Sequence, residues 1–200
     1  MPLSASYLSF FFLILIDILP IKWYNVDGWI TVELKEVLLK RRSIRKFTDQ
    51  KVSDEIIEEL LHAGMSGPSA CNRQPWEFYV IKNEELLVKL RRSSRFTNME
   101  AQLAIIVCGN LDKALPDSMK DYWIQDCSAA TNNILLRVTD LGLGAVWCGI
   151  YPQERAAERV KEILNLGDNL VPLSQIWIGY PDESRTPRDW FNPECVHVID

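Results

Sequence analysis

DCSAATNNILLRVTDLGLGAVWCGIYP, residues 126–152, carries two different structural periods on either side of a glycine-rich stop. From about Ser118 to Leu141, the residues Trp123, Cys127, Ala130, Ile134, Leu135 and Val138 recur at helical spacing. GLG at 142–144 ends that helix, and AVWCGI at 145–150 then reads as a strand. Ser128, Ala129 and Ala130 add small side chains to the helix. It is therefore expected to bury one face in its own core and another against a second subunit.

Reading outward, Leu34, Val37 and Leu38, followed by Arg41 and Arg42, predict a short amphipathic helix ending in a basic cluster. Ser53, Asp54 and Glu55 form a helix start, and Ile56, Ile57, Leu60 and Leu61 carry that helix to Gly64. SGPSACNRQP (66–75) is a polar loop marked by Gly and Pro. WEFYVI (76–81) reads as a strand, 83–92 as a helix and LAIIVCG (103–109) as a buried strand. A helix over 153–164 and a strand over LSQIWIGY (173–180) complete the series. Two of the links are too short or irregular for a regular βαβ series. The expected class is α+β with a mixed sheet rather than a doubly wound fold.

The chain has 200 residues, 48% of them hydrophobic, which suits one soluble domain with a sizeable core. A net charge of −5 gives the whole molecule no attraction for nucleic acid or anionic lipid, so RRSIRKF (41–47) is a local basic exception. That pattern favours a small anionic ligand over a polyanion. Five cysteines without a CxxC pair, and two histidines (His62 and His197), argue against a disulfide framework or a zinc site. They fit a reducing compartment, and a cytoplasmic location is expected. The apolar run YLSFFFLILIDILPI (7–21) is broken by Asp17 and Pro20 and is short for a spanning helix. It also lacks the basic n-region of a secretory signal. Residues 1–32 are accordingly read as an apolar extension outside a domain at 33–200. A membrane or partner anchor through residues 7–19 is the competing reading of that extension.

No GxSxG, GxGxxG, P-loop or HExxH is present, and neither histidine sits in a catalytic pattern. Three stretches remain. RRSIRKF offers guanidinium forks at Arg42 and Arg45 for bidentate phosphate contacts, with the Ser43 hydroxyl beside them. Read alone, it is better explained as a basic helix end opposing the dipole. In GPSACNRQPW (67–76), Pro68 and Pro75 stiffen a loop carrying Ser69, Asn72 and Gln74, polar groups able to bind a sugar-like chain or heterocycle. In GLGAVWCGIYP, glycines 142, 144 and 149 let backbone approach a flat ligand and donate main-chain N–H groups.

In this order, with DCSAATNNILL between them and IGYPDESRTPR near the end, these stretches resemble the nitroreductase-like FMN-dependent flavoproteins from about Leu34 to His197. The resemblance implies a central mixed, mostly antiparallel sheet flanked by helices, with the long helix at a dimer interface. It implies a homodimer holding FMN at the subunit interface, with NADH or NADPH as electron donor and a small-molecule acceptor such as a nitroaromatic or a quinone. Arg41 or Arg42, Ser43 and Arg45 would hold the phosphate and ribityl end, joined by Arg185 or Arg188. Pro68, Ser69 and Asn72 would reach the flavin from the partner subunit. Ala145, Val146 and Trp147 would lie against the ring, with backbone amides near N5 and O4. The expected mechanism is ping-pong hydride transfer through N5, with no catalytic side chain and no metal.

Two rival readings come from the same residues. One is another branch of the family, such as a dehalogenating enzyme; the short stretch between Gly109 and Trp123 leaves little room for the lid such branches carry. The other is a flavin-binding sensor or interaction module anchored by the N-terminal run. Binding of nucleic acid through RRSIRKF is disfavoured by the acidic background. Cys71 is read as a packing thiol within its loop. The chain ends shortly after FNPECVHV, so a tail that wraps a partner would be short.

Overall fold

The computed structural model describes residues 25–26, 29–30 and 33–199, and the chain divides into two units, Met1–Glu33 and Leu34–Asp200. In the first, strands β1 (Asn25–Val26) and β2 (Trp29–Ile30) pair antiparallel, Asn25 opposite Ile30 and Val26 opposite Trp29. The apolar run at 7–21 lies outside the described residues. Among the described residues, no helix is long and apolar enough to cross a membrane.

The second unit contains, in chain order, α1 (Leu34–Lys40), α2 (Asp54–Met65), β3 (Trp76–Ile81), α3 (Glu84–Arg91), β4 (Leu103–Asn110), α4 (Tyr122–Asp140), β5 (Gly144–Gly149), α5 (Glu154–Leu164) and β6 (Leu170–Gly179). One sheet runs in the order β3-β4-β6-β5, with every ladder antiparallel. Among the described residues, the parallel component of the expected mixed sheet is confined to a single bridge, Ser43 to Ala145.

Alternation on the strands builds a core on each face of this sheet. Leu103, Ile105, Val107, Ala145, Ile176 and Ile178 face α2 and α4, where they meet Leu60, Cys127, Ala130 and Ile134. Their neighbours Ala104, Ile106, Val146, Cys148 and Trp177 point to the other face, against Leu87 and Leu90 of α3 and Val160 of α5. Covering both faces explains why LAIIVCG is apolar without interruption rather than alternating. Registry slips once, between Val107 and Cys108, opposite Pro172 of β6. Proline has no N–H for the ladder, and a bulge accommodates it.

Helix boundaries differ from expectation at two places. Residues 117–119 form a separate 3-10 turn, and α4 begins only at Tyr122. Asp117, at φ 53, breaks the chain between the preceding loop and the helix. Helix α1 ends at Lys40, so Arg41 and Arg42 are not its last turn. They open an extended segment instead, and this decides the shape of the site.

Candidate functional site

Residues 43–48 run along the open edge of β5 and then along the chain that leaves β6. The Ile44 amide donates to Ala145 O at 2.9 Å, and the Thr48 amide donates to Tyr180 O at 2.9 Å. Phe47 bridges Pro181, and the Asp182 amide donates to Lys46 O at 2.9 Å. This lacing carries the segment 182–188 back over the start of RRSIRKF. The Arg188 amide reaches Leu39 O at 3.2 Å, and an Arg42 guanidinium nitrogen donates to Thr186 O. Two stretches separated by about 140 positions thus become one corner.

Glu183 is the pin of that corner. Its carboxylate accepts the Arg45 amide at 2.6 Å and the Lys46 amide at 3.3 Å, and it pairs with Arg185 at 2.6 Å. The Arg45 amide and the neighbouring Arg185 charge hold the Glu183 carboxyl below its ordinary range against some desolvation. Desolvation and the positive charges of Arg188, Arg185 and Arg41 lower the Arg42 pKa, which registers four guanidinium groups crowded together. Among the described residues, Arg41 and Arg45 have no ion pair, and the Arg188 guanidinium stacks 5.0 Å from the Trp190 ring. Four crowded cations set against the single carboxylate of Glu183 are stabilised by a further anion, which is the chemistry a phosphate monoester supplies.

The β5 edge supplies the next feature. Since the Ala145 carbonyl turns outward to Ile44, strand alternation turns the main-chain groups of Trp147 and Gly149 outward too. Trp147 is half-buried on the same face as Ala145. Val146 is the exception in the expected trio. Its side chain lies in the second core and its backbone pairs toward Trp177, so it has nothing to offer at that edge. The three glycines also divide. Gly142 takes φ 72 to end α4, and a Cβ on Gly144 would strike Ile44 Cγ2 at 2.7 Å. Gly142 and Gly149 both have nothing within 4 Å of a Cβ, but only Gly149 of these two lies on β5.

Pro68, Ser69 and Asn72 lie elsewhere. Cys71, Asn72 and Gln74 all take positive φ (49, 53 and 48), and local side chains fix the turn. Ser69 Oγ accepts the Gln74 amide at 3.0 Å, and Asn72 Oδ1 accepts from Gln74 Nε2 at 3.0 Å. The loop docks on α4, where the buried Asp126 carboxylate accepts the Ala70 amide at 2.9 Å. Asn72 and Cys71 are exposed, leaving polar groups available on the outer side. Sequence reading did not single out Asp126 or Glu183. Their signals were an acid inside DCSAAT and an acid inside the basic stretch ESRTPR.

The loop enters β3 at Trp76, opposite Gly109, whereas the Ser43 bridge sits at Ala145, beside Ile178 and Gly179. These are opposite edges and opposite ends of the sheet, on the order of 20 Å apart by strand spacing and rise. Among the described residues, no hydrogen bond or ion pair joins loop 66–75 to the basic corner. His62 is exposed on α2 beside Glu58, with its carbonyl accepting from the Ser66 hydroxyl at the start of loop 66–75, and His197 is exposed near the C-terminus. Among the described residues there is no His/Cys/Asp/Glu group that could hold a metal. A cavity of about 340 Å³ at the start of α2, lined by Lys51, Ser53, Asp54 and Lys82, includes none of the expected site residues.

Comparison with known proteins places these features in context. The model of the nitroreductase family matches residues 38–97 and 89–180. A Methanothermobacter thermautotrophicus protein provisionally named NADH dehydrogenase/NAD(P)H nitroreductase is 40% identical over 177 residues, covering 87% of this chain and 91% of that one. A Parabacteroides distasonis protein with the same provisional name has a crystal structure that superposes with a TM-score of 0.79 at 37% identity, covering 84% of this chain and 99% of that one. A provisionally named nitroreductase from Desulfovibrio desulfuricans, solved in complex with FMN, superposes with a TM-score of 0.70 at 29% identity, covering 84% and 98%.

Proposed function

Because this chain belongs to the nitroreductase family of oxidoreductases, we propose that it is an FMN-dependent NAD(P)H oxidoreductase whose acceptors are nitroaromatics, quinones or similar small molecules. The observation that carries this reading is the basic corner, where Arg41, Arg42, Arg185 and Arg188 crowd together beside Ser43 and the outward edge of β5. A dianionic phosphate matches that donor set in charge and in hydrogen-bond geometry. Ser43, Arg45 and one or both members of each arginine pair would hold the phosphate and the adjoining ribityl chain. Ala145 and the outward main-chain donors of Trp147 and Gly149 would border the ring.

FMN, when bound, supplies a centre that takes a hydride from NAD(P)H and passes reducing equivalents to the acceptor in a separate half-reaction. The chain's own part is to bind, orient and bias. Outward N–H groups on β5 favour negative charge beside them, which suits the reduced cofactor. No side chain is required as an acid or base.

We further propose a homodimer in which loop 66–75 of one subunit completes the site on the other. Pro68, Ser69 and Asn72 are about 20 Å from the basic corner of their own chain, too far to share one flavin with it. Leu34 and Leu38 of α1 are 65% and 55% exposed, and Trp190 and Phe191 of the tail are 69% and 74% exposed. Apolar groups left open in this way suit a second subunit.

The experiment is a visible spectrum of the purified protein before and after anaerobic NADH or NADPH. The expected result is a flavin spectrum that bleaches with nicotinamide nucleotide and returns on adding a quinone. A colourless protein that fails to bind added FMN would overturn the proposal.

A further inference from the structure

A second basic stretch, RRSSRF at 91–96, echoes RRSIRKF but has no role in the cradle described above. It leaves the end of α3 as a turn held from beneath by a buried polar knot. Ser93 Oγ donates to Leu90 O at 2.8 Å and lies 3.4 Å from Oε1 of Gln175, a fully buried glutamine of β6. Thr97 Oγ1 sits 2.9 Å from Ser94 O and 3.1 Å from Arg91 O, and it accepts the Ser94 amide at 3.1 Å. Burying these hydroxyl and amide groups is favourable only with such complete pairing, and the result is a rigid turn.

What the knot presents outward is chemically specific. Arg91 is committed inward, through Nε to Met99 O at 2.9 Å and through an ion pair with Glu84 at 3.4 Å. Arg92 and Arg95 are exposed, and among the described residues their guanidinium groups make no hydrogen bond or ion pair. The Arg95 guanidinium carbon lies 4.5 Å over the ring of Phe96, which is 53% exposed. The turn also touches the strand of the candidate site, since Cys148 Sγ donates to Phe96 O at 3.2 Å. Cys148 lies between Trp147 and Gly149, the residues whose donors face the β5 edge. Burial pushes the Cys148 thiol up to about 11, and the Arg45 charge acts in the opposite sense.

We propose that Arg92, Arg95 and Phe96 receive the adenosine end of NADPH, the arginines on the 2′-phosphate and the Arg95–Phe96 stack against the adenine, so that the enzyme prefers NADPH to NADH. The inference rests on the oxidoreductase reading above and names its donor. Two free guanidinium forks match a phosphate monoester, and an exposed ring capped by a guanidinium matches a flat base. The ligand that joins these two groups to a hydride donor able to reach the β5 edge is NADPH.

The test uses the FMN-loaded protein and two readouts. Equilibrium binding of 2′,5′-ADP and of 5′-AMP is measured for the wild type and for the Arg92→Ala/Arg95→Ala double variant, alongside KM for NADPH and NADH. The expected wild type binds 2′,5′-ADP about tenfold more tightly than 5′-AMP, and the double variant loses that difference. KM for NADPH should rise about tenfold or more in the variant, while KM for NADH stays within about twofold and FMN content is unchanged. Equal affinity of the wild type for the two nucleotides would overturn the proposal, as would an equal rise of both KM values. A protein that binds 2′,5′-ADP through these arginines yet is reduced by neither nucleotide would keep the phosphate-binding site but overturn its role in donor choice, and would sink the oxidoreductase reading.

Discussion

The basic corner and loop 66–75 are built in opposite ways. The corner joins residues far apart in sequence: 41–48 and 180–188 are stitched by main-chain hydrogen bonds to each other and to β5, with Glu183 as the clasp. The loop is local. Its turn is closed by Ser69, Asn72 and Gln74, and it is anchored by the buried Asp126 carboxylate of α4 and by Arg73, which donates to Lys113 O at 2.9 Å. The first gathers positive charge, and the second exposes neutral polar groups at left-handed positions. A phosphate needs the former and a heterocycle suits the latter, yet one chain keeps them at opposite corners of its sheet. The difference is what the proposed homodimer accounts for: each region would be half of a site, and two-fold symmetry would bring the halves together.

The strongest test of that comparison is complementation. Arg42→Ala damages the corner, and Asn72→Gly removes the loop's outer side chain while tolerating φ 53. Each homodimer should lose most flavin-dependent activity. Mixed dimers would then pair the sound corner of one chain with the sound loop of the other. With free subunit exchange, half the dimers are mixed and each has one intact site of two, so about a quarter of wild-type activity should return. No recovery after verified exchange would mean that each site lies within one chain.

Next in size is the affinity loss at the corner. Arg42→Ala removes a charge-assisted contact worth about 1.5–3 kcal/mol, which is roughly a ten- to hundredfold weaker hold on FMN by fluorescence titration. On the other side, Asp126→Ala takes the acceptor from the Ala70 amide. The expected cost is about 1–3 kcal/mol of stability, read from urea unfolding, and Asp126→Asn, which keeps an oxygen acceptor, should cost less. Unequal effects on flavin affinity would sharpen the comparison. Arg42→Ala should act on affinity with little change in unfolding midpoint, whereas Asp126→Ala should act on both.

Local patterns made much of this legible. The uninterrupted apolar run at 103–109 is a doubly covered central strand, Ser53 caps α2 by accepting the Ile56 amide, and GLG ends α4 with Gly142 at positive φ. Long-range contacts were invisible to periodicity. Arg41 and Arg42 continue the helical spacing of Leu34, Val37 and Leu38, but the chain leaves the helix at Lys40 because the next residues pair with β5, a hundred positions away. Gly144 looks like a residue reserved for a ligand, and in fact it makes room for Ile44. Val146 sits in the middle of a motif, but a period of two sends it to the other core. The order of motifs recovered the family, and three-dimensional register decided which atom of each motif is free.

The smallest expected effect concerns Glu183, an anion inside a corner proposed to hold another anion. Its charge opposes a phosphate, but its two bonds to the Arg45 and Lys46 amides shape the segment that carries Ser43 and Arg45. These contributions pull in opposite directions, so Glu183→Gln, which retains an acceptor, should change FMN affinity by less than about threefold. Glu183→Ala loses the acceptor altogether and should weaken binding more. The pH dependence separates the two contributions. A carboxyl whose folded pKa lies below its ordinary value of 4.5 contributes fully above that value, and its contribution fades as pH falls through the lowered one. The wild type should therefore loosen at this corner as pH falls below 4.5, while Glu183→Gln, with nothing to protonate there, should not. Flavin titrations of both proteins across that range would decide it, and identical acid profiles would remove Glu183 from its role as the clasp.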